Sequence, residues 1–165
     1  MTEETKRLKE MVSPLLSWFA GNARKLPWRD DPTAYHVWVS VDPDKLAQEL
    51  LTTVTSDDLS KSTMDLSTVY FYDANNVNNA VAYASSGTTS CEVAVVESKD
   101  ASETADVEKN FKTRVENQKN LYASYNAEEA GRLDDAIIKS AGKYTVLCVC
   151  DDTDKANEIL KENGF

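Results

Sequence analysis

The sequence predicts an α+β fold, a two-layer sandwich in which an antiparallel four-stranded sheet made of two hairpins carries helices on one face. Strand–turn–strand patterns occupy residues 80–97 and 135–150, and a stretch with helical periodicity follows each of them. Hairpins favour antiparallel pairing, and the apolar face of such a sheet needs a layer of helices to cover it. The composition changes near Ser40–Asp42, which predicts that a helical N-terminal appendage precedes this domain.

The change of composition divides the chain into two parts. Residues 1–40 carry a formal charge of +1, whereas the remaining residues carry −11, which together give the net charge of −10. The first part also holds every tryptophan and the only histidine: Trp18, Trp28, Trp38 and His36. We therefore assign residues 1–41 to a fragment that is not an independent domain, and residues 42–165 to an acidic domain.

Composition and charge limit the classes of function. A surface as acidic as that of the second part repels phosphate, so nucleic acid is not an expected partner. The charged start and the short apolar run after it predict neither a signal peptide nor a membrane span, so the chain as written is expected in the cytoplasm. The cysteines fit neither a disulfide framework nor a metal site and are expected to be buried thiols: Cys91, Cys148 and Cys150.

The appendage is expected to begin with an amphipathic helix. Its apolar residues recur at spacings of three and four: Leu8, Met11, Val12, Leu15, Leu16 and Phe19. Pro14 marks the start of this helix or a kink in it, and Gly21 marks its end.

Three stretches of the appendage resemble the opening of the MutY-type adenine-specific DNA glycosylases: Leu15–Phe19, Arg24–Arg29 and Asp31–Ser40. The resemblance covers residues 12–40 and implies a catalytic glutamate directly afterwards. This chain has Val41 at that position, and a valine cannot donate a proton. The family also holds an iron–sulfur cluster with four cysteines, which the three cysteines of this chain cannot supply. A DNA-repair glycosylase fragment is therefore the alternative function, and we expect it to be inactive.

The tryptophans of the appendage could pack or associate in several ways. In the glycosylases they pack a helical core that this chain does not continue. They are then expected to pack on the acidic domain, to pair with another copy, or to stay exposed. Exposed aromatic side chains favour self-association, here through Trp18, Trp28 and Trp38.

The acidic domain is expected to begin with a helix. Asp42 fits the N-cap, Pro43 fits the first turn, and Asp44 lies near the positive end of the helix dipole. A helical apolar face continues to about Thr55 and consists of Leu46, Ala47, Leu50, Leu51 and Val54.

Residues 59–78 fit no single element. The run Val69–Tyr72 favours an extended segment that packs into the sheet, and the asparagines at 75–79 favour a turn. A ridge of aromatic side chains that binds a partner is the alternative for Tyr70, Phe71 and Tyr72.

The first hairpin shows the alternation of a half-buried strand. Val81 and Tyr83 alternate with alanines in Ala80–Ser85, Ser86-Gly87 turns the chain, and Cys91–Glu97 forms the returning strand. The second hairpin pairs Asp135–Ser140 with Lys143–Cys150 through a turn around Ala141-Gly142. Because Tyr144–Cys150 is apolar on both faces, it is expected to be a central strand.

A helix is expected after the first hairpin. Asp100 and Glu103 resemble a capping box, and Glu108 and Lys112 are spaced for an ion pair. One face of this helix runs to about Tyr125 and consists of Val107, Phe111, Val115, Gln118, Tyr122 and Tyr125.

A last helix is expected after the second hairpin, from about Asp152–Asp154 to Gly164. Its buried residues are expected to be Ala156, Ile159 and Leu160. The run Asp151–Asp154 also offers oxygens to a cation, but it lacks the glycine and the distal glutamate of a calcium loop. A helix N-terminus explains it better.

Several stretches of the acidic domain resemble an uncharacterised family of small Gram-positive bacterial proteins: Asp44–Val54, Val81–Gly87, Cys91–Glu97, Arg114–Gln118, Tyr125–Glu128 and Gly142–Leu147. The resemblance covers residues 43–163. It implies a domain of unknown function whose relatives carry a lipoprotein signal peptide and are anchored outside the membrane. No activity is established for that family, so the resemblance implies no catalytic residue.

The sequence offers no catalytic, cofactor-binding or metal-ligating residue. The acidic domain has no histidine and therefore no Ser–His or Cys–His pair, and its glycines are too scattered for a phosphate-binding loop. Ser85–Ser90 is rich in hydroxyls and is a candidate ligand contact, although a hairpin loop explains it better. The favoured function is a non-enzymatic, extracytoplasmic-type module that binds or interacts with a partner, and an enzyme of an unrecognised type is the third possibility.

Overall fold

The computed structural model describes residues 41–165, which form a five-stranded antiparallel sheet with helices on both faces. The helices are α1 (Pro43–Leu51), α2 (Leu66–Tyr70), α3 (Thr104–Ala123), α4 (Ala127–Arg132) and α5 (Thr153–Glu162). The strands are β1 (Ser60–Lys61), β2 (Val77–Ala84), β3 (Glu92–Ser98), β4 (Ile137–Ala141) and β5 (Tyr144–Val149). Short 3-10 turns occupy Ala74–Asn76, Ala101–Glu103 and Leu133–Asp135. The predicted appendage helix, the glycosylase-like stretches and the three tryptophans lie outside the described residues.

The sheet has the strand order β1-β2-β3-β5-β4, and every neighbouring pair is antiparallel. Both predicted hairpins are confirmed: Val81 pairs with Val95 in the first, and Ser140 pairs with Thr145 in the second. In the second, the turn is made by Gly142 and Lys143, and Gly142 takes the positive φ of 55° that such two-residue turns require. The two hairpins form one sheet because β3 of the first pairs with β5 of the second.

The predicted strand number of four is wrong, because β1 adds a fifth strand at the edge of β2. Ser60 pairs with Ala84 and Lys61 pairs with Tyr83. Both residues of β1 are exposed, so no alternation of apolar and polar residues marks the strand in the sequence.

The prediction of helices on one face is also wrong, since the domain has three layers. Helices α1 and α5 cover one face, where they form a core cluster with Val93, Val95 and Val146. Helix α3 covers the other face with α2 and α4, and Phe111 packs there against Ala94 and Val96. The physical reason is that β3 and β5 are apolar on both faces, and two apolar faces need two covering layers.

Helix α1 begins as predicted. The carboxylate of Asp42 accepts hydrogen bonds from the backbone N–H groups of Asp44 and Lys45, and Pro43 occupies the first turn. The helix ends at Leu51, earlier than predicted. Beyond it, the hydroxyl of Thr53 donates to the carbonyl of Leu50 at 2.6 Å.

The prediction of an extended segment at Val69–Tyr72 is wrong, because the chain forms the short helix α2 there. Asp65 caps this helix by accepting from the backbone N–H of Ser67. Tyr70 is buried, whereas Phe71 is 57% exposed and takes a left-handed conformation with φ 60°. The three aromatic residues therefore neither pack together into the sheet nor form a continuous exposed ridge.

Helix α3 confirms most of its predicted features. Asp100 caps the preceding 3-10 turn, but Glu103 accepts a hydrogen bond from Asn76 instead of closing a capping box. Glu108 and Lys112 form the predicted ion pair at 2.6 Å. Tyr125 lies beyond the end of the helix and is 62% exposed, so the apolar face stops short of it.

Helix α5 and the cysteines also follow the prediction. Asp152 caps the helix by accepting from Lys155, and Gly164 follows it with φ 89°. Ala156 and Leu160 are buried, and Ile159 is partly buried. All three cysteines are buried free thiols: Cys91, Cys148 and Cys150.

Candidate functional site

A pocket of about 220 Å³ opens at one end of the sheet, between the loop that joins β2 to β3 and the C-terminal half of α3. We call it the hairpin pocket. The loop side is formed by residues of Ser85–Cys91, and the helix side by Arg114, Gln118, Leu121 and Tyr122, with Tyr125 just beyond. The candidate loop Ser85–Ser90 is thus placed at a pocket.

An ion pair forms part of the lining of the hairpin pocket. Nε of Arg114 lies 3.0 Å from both carboxylate oxygens of Glu92, and Nη2 lies 2.8 Å from Oε1. The hydroxyl of Tyr70 donates to the same Oε1 at 2.6 Å, and the Arg114 guanidinium lies 5.0 Å from the Tyr70 ring centre. The Glu92 side chain is only 7% exposed and that of Arg114 18% exposed, so the pair is largely withdrawn from water.

Three elements of the fold, strand β3 and helices α3 and α2, position this pair. Glu92 is the first residue of β3 and faces α3, because it alternates with Val93, which faces α1. Arg114 lies one turn after Phe111 on the buried face of α3. The Asp65 cap starts the short helix that carries Tyr70 under the sheet.

The surroundings raise the pKa values of both Tyr70 and Arg114. Burial raises the pKa of Tyr70, and the neighbouring Glu92 charge raises it further, so the phenol stays protonated and donates. Burial lowers the pKa of Arg114, but the hydrogen bonds and charge of Glu92 more than offset this, so the guanidinium stays charged.

Two hydrogen-bond donors of the hairpin pocket are not used by the residues that the structure describes. Arg114 donates to Glu92 through Nε and Nη2, which leaves Nη1 without an acceptor in residues 41–165. The side-chain amide of Gln118, one turn further along α3, likewise has no partner in this part of the chain. Neither group is a buried atom without a partner, so each is at least partly exposed, and both residues line the pocket.

The rim of the hairpin pocket is apolar and aromatic. Leu121 is 55% exposed and Tyr125 is 62% exposed, whereas Tyr122 is mostly buried beneath them. The rings of Tyr122 and Tyr125 lie 5.2 Å apart at their centres with an interplanar angle of 41°. The Tyr122 hydroxyl donates to the carbonyl of Thr89 at 2.7 Å and so ties the helix to the loop.

The hydroxyls of the loop mostly hold the loop itself. The Oγ of Ser85 accepts from the backbone N–H groups of Gly87, Thr88 and Thr89 and donates to Asp57 at 2.6 Å. The hydroxyl of Thr89 also donates to Asp57, and these two hydrogen bonds lower the pKa of that carboxyl. The loop is therefore a preorganised wall, and its hydroxyls are largely engaged before any ligand arrives.

A second polar network supports the loop from behind. Glu129 accepts from the backbone N–H and the hydroxyl of Ser90, both at 2.7 Å. Nη1 of Arg132 lies 3.3 Å from Glu129 and 3.0 Å from the thiol sulfur of Cys91, and Nη2 lies 3.2 Å from Asp151. Cys91 therefore sits in a buried network that is anchored on α4.

The acidic run Asp151–Asp154 is occupied by structural contacts. Asp151 accepts from the backbone N–H groups of Thr55 and Ser56, and Asp152 caps α5. Among residues 41–165, no group of three or more histidine, cysteine or acidic side chains is arranged to hold a metal ion. Val41, at the position of the glycosylase acid, packs partly buried against the core cluster under α1 and α5.

Sequence reasoning missed the charged residues of this region: Glu92, Arg114, Glu129 and Arg132. One signal was present for Glu92, which is the only acid inside the apolar run Cys91–Val96. A charged residue within a buried strand needs a partner. No comparable signal marks helix α4, which is only six residues long.

Comparison with known families identifies the domain but no activity. A family described as a domain of unknown function, DUF4358, matches residues 53–150. The match lies within residues 43–163, for which an uncharacterised family was expected, and it lends no support to the glycosylase-like opening. No solved structure matches the chain. Within residues 41–165, no helix is both long enough and apolar enough to cross a membrane.

Proposed function

The chain belongs to the DUF4358 family, and we propose that its acidic domain is a non-enzymatic binding module that holds a small polar ligand in the hairpin pocket. The observation that carries the proposal is the Glu92–Arg114 pair in the lining of an open pocket. Withdrawing such a pair from water is costly, and apolar residues of similar volume often give equal or greater stability. A pair retained where it meets a pocket, with donors left over, supports a role in binding.

The chemistry of the pocket supports binding over catalysis. Glu92 is the acid of the lining, and its carboxylate already accepts hydrogen bonds from Arg114 and Tyr70. A general acid or base must reach the reacting atom of a substrate, whereas both oxygens of the Glu92 carboxylate are already engaged by Arg114. The acidic domain contains no histidine to take that role.

The position of the pocket supports the same proposal. The loop wall is fixed by Asp57 and Glu129 from two different segments, so the pocket is largely formed before a ligand binds. The resemblance implies relatives that are anchored outside the membrane, and we propose that this domain is a module of the same extracytoplasmic type.

A fragment screen with a pocket-filling variant tests the proposal. We expect small polar fragments to shift the NMR signals of Tyr122 and Tyr125, which both line the pocket, in a saturable way. Gln118→Trp should abolish these shifts, because the indole fills the pocket. Asn117→Trp is the matched control, since Asn117 is exposed on the same helix and does not line the pocket.

Two results would contradict the proposal. One is that no fragment shifts signals of the pocket at millimolar concentration. The other is that the shifts persist in Gln118→Trp, which would place the bound fragments elsewhere.

A further inference from the structure

We infer that the ligand of the hairpin pocket is a neutral, hydroxyl-rich ring of the size of one monosaccharide unit, which stacks on Tyr125 and donates to and accepts from the Glu92–Arg114–Gln118 group. This inference rests on the proposed function and names the substrate class of the same site. The charge of the pocket lining, its hydrogen-bonding groups, its rim and its volume each support this ligand.

The charge of the lining favours a neutral ligand. Glu92 and Arg114 are the charged residues among those that line the pocket in the described part of the chain, and their charges cancel. The whole chain has a net charge of −10, which opposes an anion. A cation would have to face the unused N–H groups of Arg114.

The hydrogen-bonding groups match hydroxyls. Arg114 Nη1 and the Gln118 amide offer donors, while Oε2 of Glu92 accepts from Nε of Arg114 alone and keeps further acceptor capacity. Oε1, by contrast, already accepts from Tyr70 and twice from Arg114. A hydroxyl both donates and accepts, so neighbouring hydroxyls on one ring satisfy the acceptor and the donors together.

The rim of the pocket suits the apolar C–H face of a sugar ring. Tyr125 and Leu121 both line the pocket and are 62% and 55% exposed, so an aromatic ring and an aliphatic side chain are available at its rim. The face of an aromatic ring carries negative charge, and the C–H face of a sugar ring carries weak positive charge, so the two attract and exclude water.

The size of the pocket limits the ligand to one ring. Its volume of about 220 Å³ lies below the range of about 300–1,000 Å³ that is usual for drug-sized ligands. A longer saccharide would extend past Tyr125 into solvent, so one unit makes most of the contacts.

Titration with sugars of different charge tests the inference. The probes are glucose, galactose and N-acetylglucosamine as neutral rings, glucuronate as an anion and glucosamine as a cation, followed by ligand-observed NMR. We expect saturable binding of at least one neutral ring, with glucuronate and glucosamine at least fivefold weaker. Tyr125→Ala should raise Kd about tenfold through loss of the stacked ring, and Tyr125→Phe, which restores an aromatic ring, should recover most of that loss.

Two further variants separate the polar contacts from general effects. Gln118→Leu keeps the volume but removes the amide, and it should weaken binding at least fivefold. Met64→Ala changes an exposed side chain outside the pocket and should leave Kd unchanged. The NMR spectrum of each variant shows whether the fold is kept.

The outcomes distinguish this inference from the proposed function. Equal or tighter binding of glucuronate or glucosamine, or unchanged binding in Tyr125→Ala, would overturn the inference. Failure of every sugar, while other fragments still occupy the pocket and are displaced by Gln118→Trp, would overturn the inference and leave the binding module standing. Failure of sugars and fragments alike would overturn both.

Discussion

Glu92 is the residue on which the candidate site depends most. Its carboxylate lies at the start of a buried strand, and two side chains from two helices, Tyr70 and Arg114, hold it there. Breaking a buried ion pair by removing one partner leaves the other charge uncompensated, which is more costly than removing the whole pair.

We expect Glu92→Gln to lower the free energy of unfolding by about 3–5 kcal/mol, because Arg114 would then be a buried charge without a counterion. Urea denaturation measures the change. Glu108→Gln is the matched control, since Glu108 pairs with Lys112 on the surface of α3, and its loss should cost at most about 1 kcal/mol. Equal effects of the two substitutions would show that the Glu92–Arg114 pair is no more important than a surface pair.

The double variant Glu92→Leu with Arg114→Met should recover much of the lost stability, because it removes both charges together. It should also lose ligand binding. Recovered stability together with lost binding would show that the pair is needed for the binding site and not for the stability of the core.

We expect Asp151 to contribute stability that disappears in acid. Burial alone would raise the pKa of Asp151, but hydrogen bonds from Thr55 and Ser56 hold it below the ordinary value of 3.8. A carboxyl whose pKa is lowered on folding stabilises the protein above its unfolded pKa, and this contribution is lost as the pH falls through the folded value. Asp151→Asn should therefore cost about 1 kcal/mol at pH 7.

The cost of Asp151→Asn should shrink steadily as the pH falls below 3.8, which thermal unfolding at several pH values measures. Asp154→Asn, an exposed neighbour in the first turn of α5, is the control. A cost for Asp151→Asn that stays constant from pH 7 to pH 2 would refute the linkage.

At the scale of the element, the end of helix α2 stores backbone strain. Phe71 takes φ 60°, a conformation that costs residues with a Cβ about 1–2 kcal/mol, and its side chain is mostly exposed. We expect Phe71→Gly to be about 1 kcal/mol more stable than Phe71→Ala, because only glycine adopts this conformation without the steric cost.

Thermal melts of the two Phe71 variants and the parent make this comparison. The alanine variant loses the aromatic ring but keeps the strain, so it controls for the missing side chain. Equal stability of the glycine and alanine variants would mean that the backbone at this position is not left-handed.

The elements that the sequence predicts correctly are those whose signals are local. The alternation around Val81 and Tyr83 predicted the first hairpin, and Asp42 with Pro43 predicted the start of α1. Val69–Tyr72 misled because strand propensity there is overridden by the Asp65 cap and by the hydrogen bond from Tyr70 to Glu92. That hydrogen bond joins residues far apart in the sequence, so no local sequence pattern predicts it.

The same limit explains why the candidate site was predicted only in part. The loop Ser85–Ser90 was considered as a ligand contact from its composition, but a hairpin loop was favoured, and Gln118 was predicted on the face of α3 that meets the pocket. The pairing of Glu92 with Arg114 depends on the register of β3 under the helix, which requires both hairpins to be assembled. The second covering layer was missed, although Tyr144–Cys150 was predicted to be apolar on both faces, because antiparallel sheets built from hairpins commonly bury only one face.

At the scale of the whole molecule, the described domain has its own core on each side of the sheet. We expect limited proteolysis to cleave the chain between about Asn22 and Asp44 and to leave a stable fragment that begins near residue 42. The reason is the change of composition at Ser40–Asp42 together with a helix that starts at Pro43. Mass spectrometry of the digest locates the cuts.

A fragment of residues 42–165 made on its own is the companion measurement. It should unfold cooperatively and bind the same ligands as the full chain, because the hairpin pocket is built within it. Uniform resistance of the full chain through the window from Asn22 to Asp44 would instead mean that both parts form one domain.

The junction of the two hairpins sets the order in which the molecule can fold. Each hairpin closes a short loop, whereas Val95 and Val146, partners at the centre of the sheet, lie about fifty residues apart in the sequence. Closing that distance costs chain entropy before the contact is rewarded, so we expect the pairing of β3 with β5 to be the rate-limiting event. Substitutions along this seam should then slow refolding, whereas substitutions at the edge strands should mainly speed unfolding.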